Sequence, residues 1–328
     1  MPSTSSPKIV FLDTNKWIEL ARGYHGKAPQ LKAIVRGVTK TSESGRALFP
    51  ISLVQFDETV KNLNLERRKR LAEFMLLISK GWTILPATRI INSEIEDACR
   101  AYSGLLRLDL QKFAIKKGVS QMLGAKAGLV YKKSKARLPK RVEQHLLDAI
   151  DSQSTLLHSM TDWADDRISK SALRVNKEYV RKIEAIRKKQ ALVRDKEQLH
   201  TGELAKCLLD MIPEIALFFY GIGQDPRPFL ERIMADKDSM IEFLHQTPTA
   251  FCNVELSFYR DMLTSRKVQP NDLNDIMMLS VAIPYSDAVV TERMWDKAIT
   301  QYKLDALRPT KVFSGLTDLH SWLEREHA

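Results

Sequence analysis

Cysteine is scarce in this sequence, and the cysteines that are present are not grouped. The 328 residues include only Cys99, Cys207 and Cys252, and no two of them stand in a CxxC spacing. An odd number of widely separated cysteines argues against a disulfide framework and against a zinc site. We therefore interpret all three as buried thiols.

Sequence motifs of several common catalytic and metal-binding sites are also missing. The sequence has no glycine-rich loop of the Walker type and no GxSxG motif. These absences argue against hydrolysis of nucleotide triphosphates and against a serine-hydrolase nucleophile. The seven histidines show no HxxxH spacing, and we assign none of them to a metal.

Long apolar runs are absent as well. The longest one, around residues 277–283, is far shorter than the roughly 20 residues that a membrane-spanning helix needs. The sequence does not start with a charged segment followed by an apolar core, so we expect no signal peptide. We therefore expect a soluble, cytoplasmic protein without a membrane partner.

Positive charge is in excess. The chain has 51 lysines and arginines against 40 aspartates and glutamates, which gives a formal net charge of +11. Lysines and arginines near phosphates release condensed counterions, so this excess favours nucleic acid as a partner. The alternative is a generally basic surface that binds no polyanion.

The first 90 residues alternate between strand and helix patterns. The apolar run KIVFL (Lys8–Leu12) ends in a polar turn that opens a helix, and a second apolar stretch at 47–51 is interrupted by Pro50. Ser52 is a suitable N-cap for a helix that reaches Glu58. A longer helix at 65–80 and a strand at 82–85 follow. This alternation predicts a parallel sheet.

From about residue 89 to 266 the pattern predicts one helix after another, without a strand. This stretch is basic, and the run KKSKARLPKR at 132–141 has six cations and no acid. We predict that these cations bind a nucleic-acid backbone: Lys132, Lys133, Lys135, Arg137, Lys140 and Arg141. The alternatives are a solvated helical face, a surface for a protein partner, or a homo-oligomer interface.

The α/β pattern returns near residue 271. An apolar helix at 271–283 precedes a strand at 287–291, and a further strand (Lys311–Phe313) precedes a helix (Leu316–Glu326). We therefore predict an α/β domain in two halves, 1–90 and 267–328, separated by a large, basic, all-helical insertion at 91–266.

Four acidic residues from distant parts of the chain are expected to meet. Asp13 and Glu292 directly follow the ends of two strands, and Glu58 and Asp275 lie near the starts of two helices. In a doubly wound sheet, both kinds of position lie at the carboxyl edge of the strands, where ligands bind. Each acid alone has an ordinary explanation as a helix cap or an exposed side chain, so it is the joint pattern that matters.

Converging carboxylates are the ligands that hard divalent ions prefer. Mg²⁺ and Mn²⁺ bind carboxylate oxygens together with water and substrate phosphate. Such an ion lowers the pKa of bound water and stabilises the charge of an in-line displacement at phosphorus. Without a cation, clustered carboxylates repel one another and partly protonate. The pattern therefore predicts a Mg²⁺ or Mn²⁺ site.

The same segments resemble the PIN-domain family of metal-dependent nucleases. FLDTN at 11–15 is similar to the family's opening strand and first acid, and SLVQFDETVK at 52–61 to the segment with its second acid. NDIMM at 274–278 and the following strand DAVVT resemble the third-acid helix and the strand that ends in Thr291. The resemblance covers about 90 residues in the first half and about 60 in the second, and none of the middle.

The resemblance implies a three-layer α/β/α fold with a central parallel sheet and a metal-dependent phosphodiesterase, usually an RNA endonuclease. Many members are toxins and others process RNA, so a toxin or a defence effector is compatible with it. The family often places a fourth acid two residues after the strand-ending threonine, and here that position is Arg293. Glu292 is the nearest replacement, and Asp287 is a second candidate.

Four further residues are expected to support the site. Thr14 and Asn15 would position Asp13 or a bound water, although they are also suited to capping a helix. Asp272 lies one helical turn before Asp275, and Thr291 ends the strand. The sequence thus predicts an endoribonuclease. Two alternatives stay open: a DNA nuclease, and an inactive PIN-like scaffold that binds nucleic acid or a protein.

Overall fold

The computed structural model describes residues 6–124, 139–162 and 166–326, and for 166–176 the backbone alone. Its first half consists of β1 (Lys8–Leu12), α1 (Thr14–Tyr24), α2 (Lys32–Glu43), β2 (Ala47–Leu48), α3 (Leu53–Val60), α4 (Leu65–Ser79) and β3 (Trp82–Ile84). A 3₁₀ turn at Pro29–Leu31 links α1 to α2. The predicted alternation of strands and helices is present in this half.

The middle of the chain is mostly helical. It consists of α5 (Ala87–Tyr102), α6 (Leu110–Ala114), β4 (Ile115–Lys117), α7 (Val119–Leu123), α8 (Lys140–Ile150), α9 (Gln153–Asp162), α10 (Asp166–Ala191), α11 (Lys196–Gly221), α12 (Arg227–Ile233), α13 (Lys237–Gln246) and α14 (Pro248–Met262). The second half then consists of α15 (Asp272–Tyr285), β5 (Ala288–Val290), α16 (Arg293–Gln301), β6 (Lys311–Phe313) and α17 (Leu316–Glu326), with a 3₁₀ turn at Leu304–Ala306.

One sequence-based expectation about the middle was wrong. The insertion is not all-helical, because β4 pairs antiparallel with β3. β4 has only three residues and ends in two exposed lysines, so it lacks the alternating pattern of a strand. Elsewhere in the middle, α11 contains Pro213 and continues to Gly221. Met211, Ile215 and Phe219 lie on one helical face and are buried, and this burial maintains the helix past the proline.

The central sheet is parallel and has the strand order β2-β1-β5-β6. A parallel bridge between Ile51 and Thr83 places β3 beyond β2. The first half of the chain therefore adds strands on one side of β1, and the second half adds β5 and β6 on its other side. The strand order reverses between β1 and β5, and in open α/β sheets the ligand-binding crevice lies at the carboxyl ends of such a strand pair.

Helices cover both faces of the sheet. Side chains alternate between faces along a strand, so Phe11 points to one side and Leu12 to the other. Phe11 packs with buried residues of α5, α11, α14 and α15 in one continuous core. Leu12 packs with residues of α1, α2, α4 and α17 in a second core. The prediction of an α/β fold with a central parallel sheet is confirmed.

The insertion and the sheet share these cores. Residues of α11 to α14 belong to the same apolar cluster as Phe11 and Val289, while Leu156 and Met160 of α9 belong to the cluster on the opposite face. The helical middle of the chain is therefore packed against the α/β halves on both sides and has no separate core among the described residues.

Arg187 of α10 attaches the insertion to the segment just before α15. Its side chain is buried, and it donates hydrogen bonds to the backbone oxygens of Asp261 (3.2 Å), Arg266 (2.9 Å) and Leu263. Glu184 accepts from the backbone N–H of Val268 at 2.8 Å. The donors of the Arg187 side chain are therefore used inside the fold.

Replacing Arg187 by alanine should destabilise the protein by about 3 kcal/mol, because three backbone carbonyl groups would lose a charged hydrogen-bond donor that is itself buried. The neighbouring Lys188 is exposed and provides a matched control, since Lys188→Ala removes the same charge. Chemical denaturation of the two variants measures the difference. Equal stabilities would show that Arg187 is only a surface cation.

Candidate metal centre

Asp13 lies at the junction of β1 and α1, directly at the crevice between β1 and β5. It is only 4% exposed, and its backbone N–H donates to the carbonyl of Val290 at 2.9 Å. The carboxylate accepts from the backbone N–H of Asn15 at 3.4 Å and from the hydroxyl of Thr291 at 3.3 Å. Asp13 therefore caps α1 and is also held by the residue that ends β5.

Glu58 is brought beside Asp13 by the way in which α3 begins. Ser52 and Gln55 form a capping box at the start of that helix. The side-chain amide of Gln55 also donates to the backbone oxygen of Leu12, the residue before Asp13. One helical turn further, the Glu58 carboxylate accepts from the hydroxyl of Thr14 and, at 3.1 Å, from the side-chain amide of Asn274.

Asp275 enters the crevice from the first turn of α15. The indole N–H of Trp295, which is fully buried, donates to its carboxylate at 3.2 Å. Asn274, the residue before it, reaches Glu58. Asp275 is therefore fixed by a helix that follows β5 and is linked through its neighbour to the acid on α3.

Glu292 is the N-cap residue of α16 and is exposed. Its carboxylate accepts from the side-chain amide of Asn15 at 2.7 Å. Thr14 and Asn15, which were predicted to support the site, thus hold two different acids, Glu58 and Glu292.

The electrostatics show that the four carboxylates act on one another. Burial raises the pKa of Asp13 to about 6, with further increases from the charges of Glu292 and Glu58. Burial also raises the pKa of Asp275 to about 8, followed by the charge of Asp13, with smaller contributions from Glu58 and Glu292. Among the described residues, no lysine, arginine or histidine forms an ion pair with any of the four. The cluster carries negative charge that no side-chain ion pair compensates.

Asp287 does not lie in this cluster. It precedes β5, and its carboxylate accepts from the backbone N–H of Ile9 at 2.7 Å and lies 3.7 Å from the ammonium of Lys8. It lies four positions before Thr291, which is about 13 Å along an extended strand. Asp287 is therefore at the amino edge of the sheet, and the structure places Glu292, not Asp287, beside Asp13.

Asp272 is also separate from the four acids. It is 1% exposed and forms a two-point ion pair with Arg266, both distances being 2.7 Å. It also accepts from the backbone N–H of Gln269 at 2.8 Å. Asp272 therefore fixes the loop before α15 and supports Asp275 only indirectly.

Two residues near the acids were not anticipated from the sequence. Trp295 was missed, although a tryptophan buried in an amphipathic helix usually needs a partner for its N–H. Arg266 was missed because it pairs with Asp272 across a loop, at no recognisable helical spacing. The pKa of Arg266 is raised, first by its hydrogen bond to Asp272 and, among smaller contributions, by the charges of Asp275 and Glu292. Its guanidinium therefore adds positive charge near the acids.

The chemistry of the donors suits a hard divalent cation, because all four side chains offer carboxylate oxygens. The uncompensated negative charge of the cluster also favours the binding of a cation. The distances are less favourable: among the described residues, no group of three or more histidine, cysteine, aspartate or glutamate side chains is arranged to hold a metal ion. The carboxylate oxygens and their negative charge fit Mg²⁺ or Mn²⁺. To bind such an ion, the side chains would have to approach one another more closely.

The basic run of the insertion is only partly described. Lys132, Lys133, Lys135 and Arg137 lie outside the described residues. Lys140 and Arg141 open α8 and are exposed. No helix in the described parts of the chain is both long and apolar enough to span a membrane.

Comparison with known proteins does not identify a family. No protein-family model matches the sequence. No curated protein matches it, and no solved structure matches the fold.

Proposed function

We propose that this protein is a metal-dependent phosphodiesterase and that it acts as a PIN-like endoribonuclease. The observation that carries the proposal is the meeting of four carboxylates at the carboxyl ends of β1 and β5, where the strand order reverses. The resemblance of the segments around Asp13, Glu58 and Asp275 to PIN-domain nucleases points in the same direction.

Asp13, Glu58, Asp275 and Glu292 would hold one or two Mg²⁺ or Mn²⁺ ions. A divalent ion in such a site supplies a water of lowered pKa and stabilises the charge that develops on a phosphodiester. Thr291 and Trp295 orient the two buried aspartates, and Thr14, Asn274 and Asn15 orient the two glutamates. The hydroxyls of Thr14 and Thr291, which contact these acids, donate hydrogen bonds to the carboxylates, so attack by water, without a covalent enzyme intermediate, is the reaction that fits.

Binding of a cation at this site is coupled to the release of a proton. With a pKa of about 8, Asp275 holds a proton at neutral pH in the absence of a cation. A cation binds the ionised carboxylate, so its binding displaces that proton and becomes tighter as the pH rises. Arg266 lies at the same edge, and its positive charge is suited to the phosphate of a bound substrate.

The direct test is cleavage by the purified protein of labelled RNA, single-stranded DNA and a flapped DNA duplex. We expect Mn²⁺ or Mg²⁺ to support cleavage of the RNA and EDTA to abolish it. Preferential cleavage of either DNA substrate would assign the protein to the DNA nucleases. Cleavage that persists in EDTA would disprove the metal-dependent mechanism.

A second candidate function is an inactive scaffold of the same fold that binds nucleic acid or a protein partner. Two observations favour it. Among the described residues, no group of three or more acidic, histidine or cysteine side chains is arranged to hold a metal ion, and Arg293 stands at the position where the family often has an acid. Calorimetric titration with Mn²⁺ separates the two candidates. The nuclease predicts binding that is lost in Asp13→Asn and Asp275→Asn, whereas the scaffold predicts no binding that depends on these carboxylates.

A further inference from the structure

A pocket with a strongly basic lining lies between α1 and the start of α4, outside the acidic cluster. Its volume is about 530 Å³. Five basic side chains line it, and no acidic side chain does. We name it the basic pocket, and its basic residues are Arg22, His25, Lys27, Arg67 and Arg70.

The cations of the basic pocket are largely free to bind a ligand. Among the described residues, no acidic side chain forms an ion pair with Arg22, Lys27 or Arg67, and all three are exposed. Arg70 is the exception, because it pairs with Glu66 at 2.8 Å. A concave surface that holds three unpaired cations is suited to an anion with more than one charge.

The floor of the basic pocket is apolar. Ile18, Ala21 and Leu71 line it, and Ala21 and Leu71 are buried. A phosphate or sulfate ion alone would leave this floor uncovered. A ligand that combines a flat apolar group with phosphates, as a nucleotide does, would cover the floor and meet the surrounding cations.

The basic pocket and the acidic cluster lie on the same side of α1. Thr14, which donates to Glu58, is followed on that helical face by Ile18 and Arg22, at intervals of four residues. Asn62, another residue of the pocket, likewise follows Glu58 after four residues, just beyond α3. Two parallel series of residues thus lead from the acids to the pocket. From Asp13 to Arg22 the distance along the helix is about 14 Å.

We propose that the basic pocket binds a nucleotide of a single-stranded nucleic acid and that a phosphodiester further along the same strand lies at the acidic cluster. The apolar floor receives the base, and Arg22, Lys27 and Arg67 meet the phosphates. A base inside a duplex is stacked and paired and cannot enter the pocket, so the pocket selects single strands. This proposal rests on the proposed function in its choice of ligand, but binding to the pocket requires no cleavage.

The test is equilibrium binding of a fluorescein-labelled 12-nucleotide single-stranded RNA, followed by anisotropy in EDTA. Arg22→Gln/Arg67→Gln should weaken binding roughly tenfold and reduce the slope of log K against log salt by about 1.4, since each lost phosphate contact on a single strand contributes about 0.7. Lys112→Gln/Arg227→Gln is the matched control. It removes the same charge from side chains that are 87% and 80% exposed, and should leave the slope unchanged.

The same RNA annealed to its complement completes the test. We expect the Arg22 and Arg67 variant to bind the duplex as the parent protein does, while it loses affinity for the single strand. If the control pair weakens single-strand binding equally, if the duplex loses affinity to the same extent, or if no strand binds, the inference is overturned.

Cleavage in Mn²⁺ is measured separately. Loss of pocket-dependent binding with intact cleavage would refute this inference alone, and pocket-dependent binding without any cleavage would refute the proposed function alone.

Discussion

Replacing Asp13 by asparagine should lower the rate of metal-dependent RNA cleavage by about 10³-fold or more, which corresponds to roughly 4 kcal/mol of transition-state stabilisation. Asp13 is the most buried of the four acids, and the charges of Glu58 and Glu292 act on it directly. The substitution removes one negative ligand from the centre of the cluster. The effect is measured as the single-turnover rate with saturating protein and Mn²⁺.

The substitution Asp13→Asn removes the negative charge but is expected to leave the fold unchanged. An asparagine has nearly the same shape: its side-chain oxygen can still accept from the backbone N–H of Asn15, and its amide N–H can donate to the hydroxyl oxygen of Thr291. We therefore expect a folded variant with an unchanged circular dichroism spectrum. A variant that cuts RNA as fast as the parent would refute the mechanism.

Asp287→Asn is the matched control for Asp13→Asn. Asp287 also adjoins a central strand, but it lies at the opposite edge of the sheet, beside Lys8 and the backbone of Ile9. We expect this variant to cleave RNA at the rate of the parent. If it lost activity to the same extent as Asp13→Asn, the assignment of Glu292 as the fourth acid would be wrong and Asp287 would take its place.

Replacing Asp275 by asparagine should stabilise the protein at alkaline pH when divalent ions are chelated. The pKa of Asp275 is about 8 in the folded chain against an ordinary value of 3.8, so the folded state holds this proton more tightly than the unfolded state does. Below the unfolded pKa both states are protonated, and no penalty arises. The free energy of unfolding then falls as the pH rises from about 4 to about 8, where the penalty is complete.

Asparagine carries no charge at any pH, so it removes this penalty. We expect Asp275→Asn to raise the free energy of unfolding at pH 9 by about 2 to 5 kcal/mol and to leave it nearly unchanged at pH 4. Urea denaturation in EDTA at both pH values measures the difference. Asp225→Asn serves as a control, because the pKa of Asp225 is lowered by its hydrogen bond from Arg227 and its replacement should not stabilise at high pH. An Asp275→Asn variant without added stability at pH 9 would contradict the raised pKa.

The sequence allowed the architecture around the acids to be predicted for physical reasons. KIVFL and DAVVT are short apolar runs followed by polar residues, which is typical of strands buried on both faces. Since parallel strands present their carboxyl ends at one edge, the sequence pattern predicts that Asp13 and Glu292 lie at the same edge. Ser52 was likewise predicted as a helix cap, and the structure shows its capping box.

What could not be predicted depends on contacts between distant segments. Whether Asp272 or Asp275 faces the cluster is decided by Arg266, which lies in a loop and pairs with Asp272. The role of Trp295 depends on its hydrogen bond to Asp275, which lies on a different helix. The strand β4 forms only because β3 offers it an edge, and its own residues carry no strand pattern. The basic pocket likewise combines α1 with α4, and no local sequence pattern reveals it.

The register of the sheet has a consequence for how the protein is made. β1 pairs with β5, so that Val10 lies beside Ala288, and the ribosome needs roughly 15 to 60 seconds to synthesise the chain between them. During that interval Asp13 is present without Asp275 and Glu292. A growing chain therefore carries no assembled acidic cluster while it is held next to messenger and ribosomal RNA. For a protein proposed to cut RNA, this late pairing delays activity until most of the chain has left the ribosome.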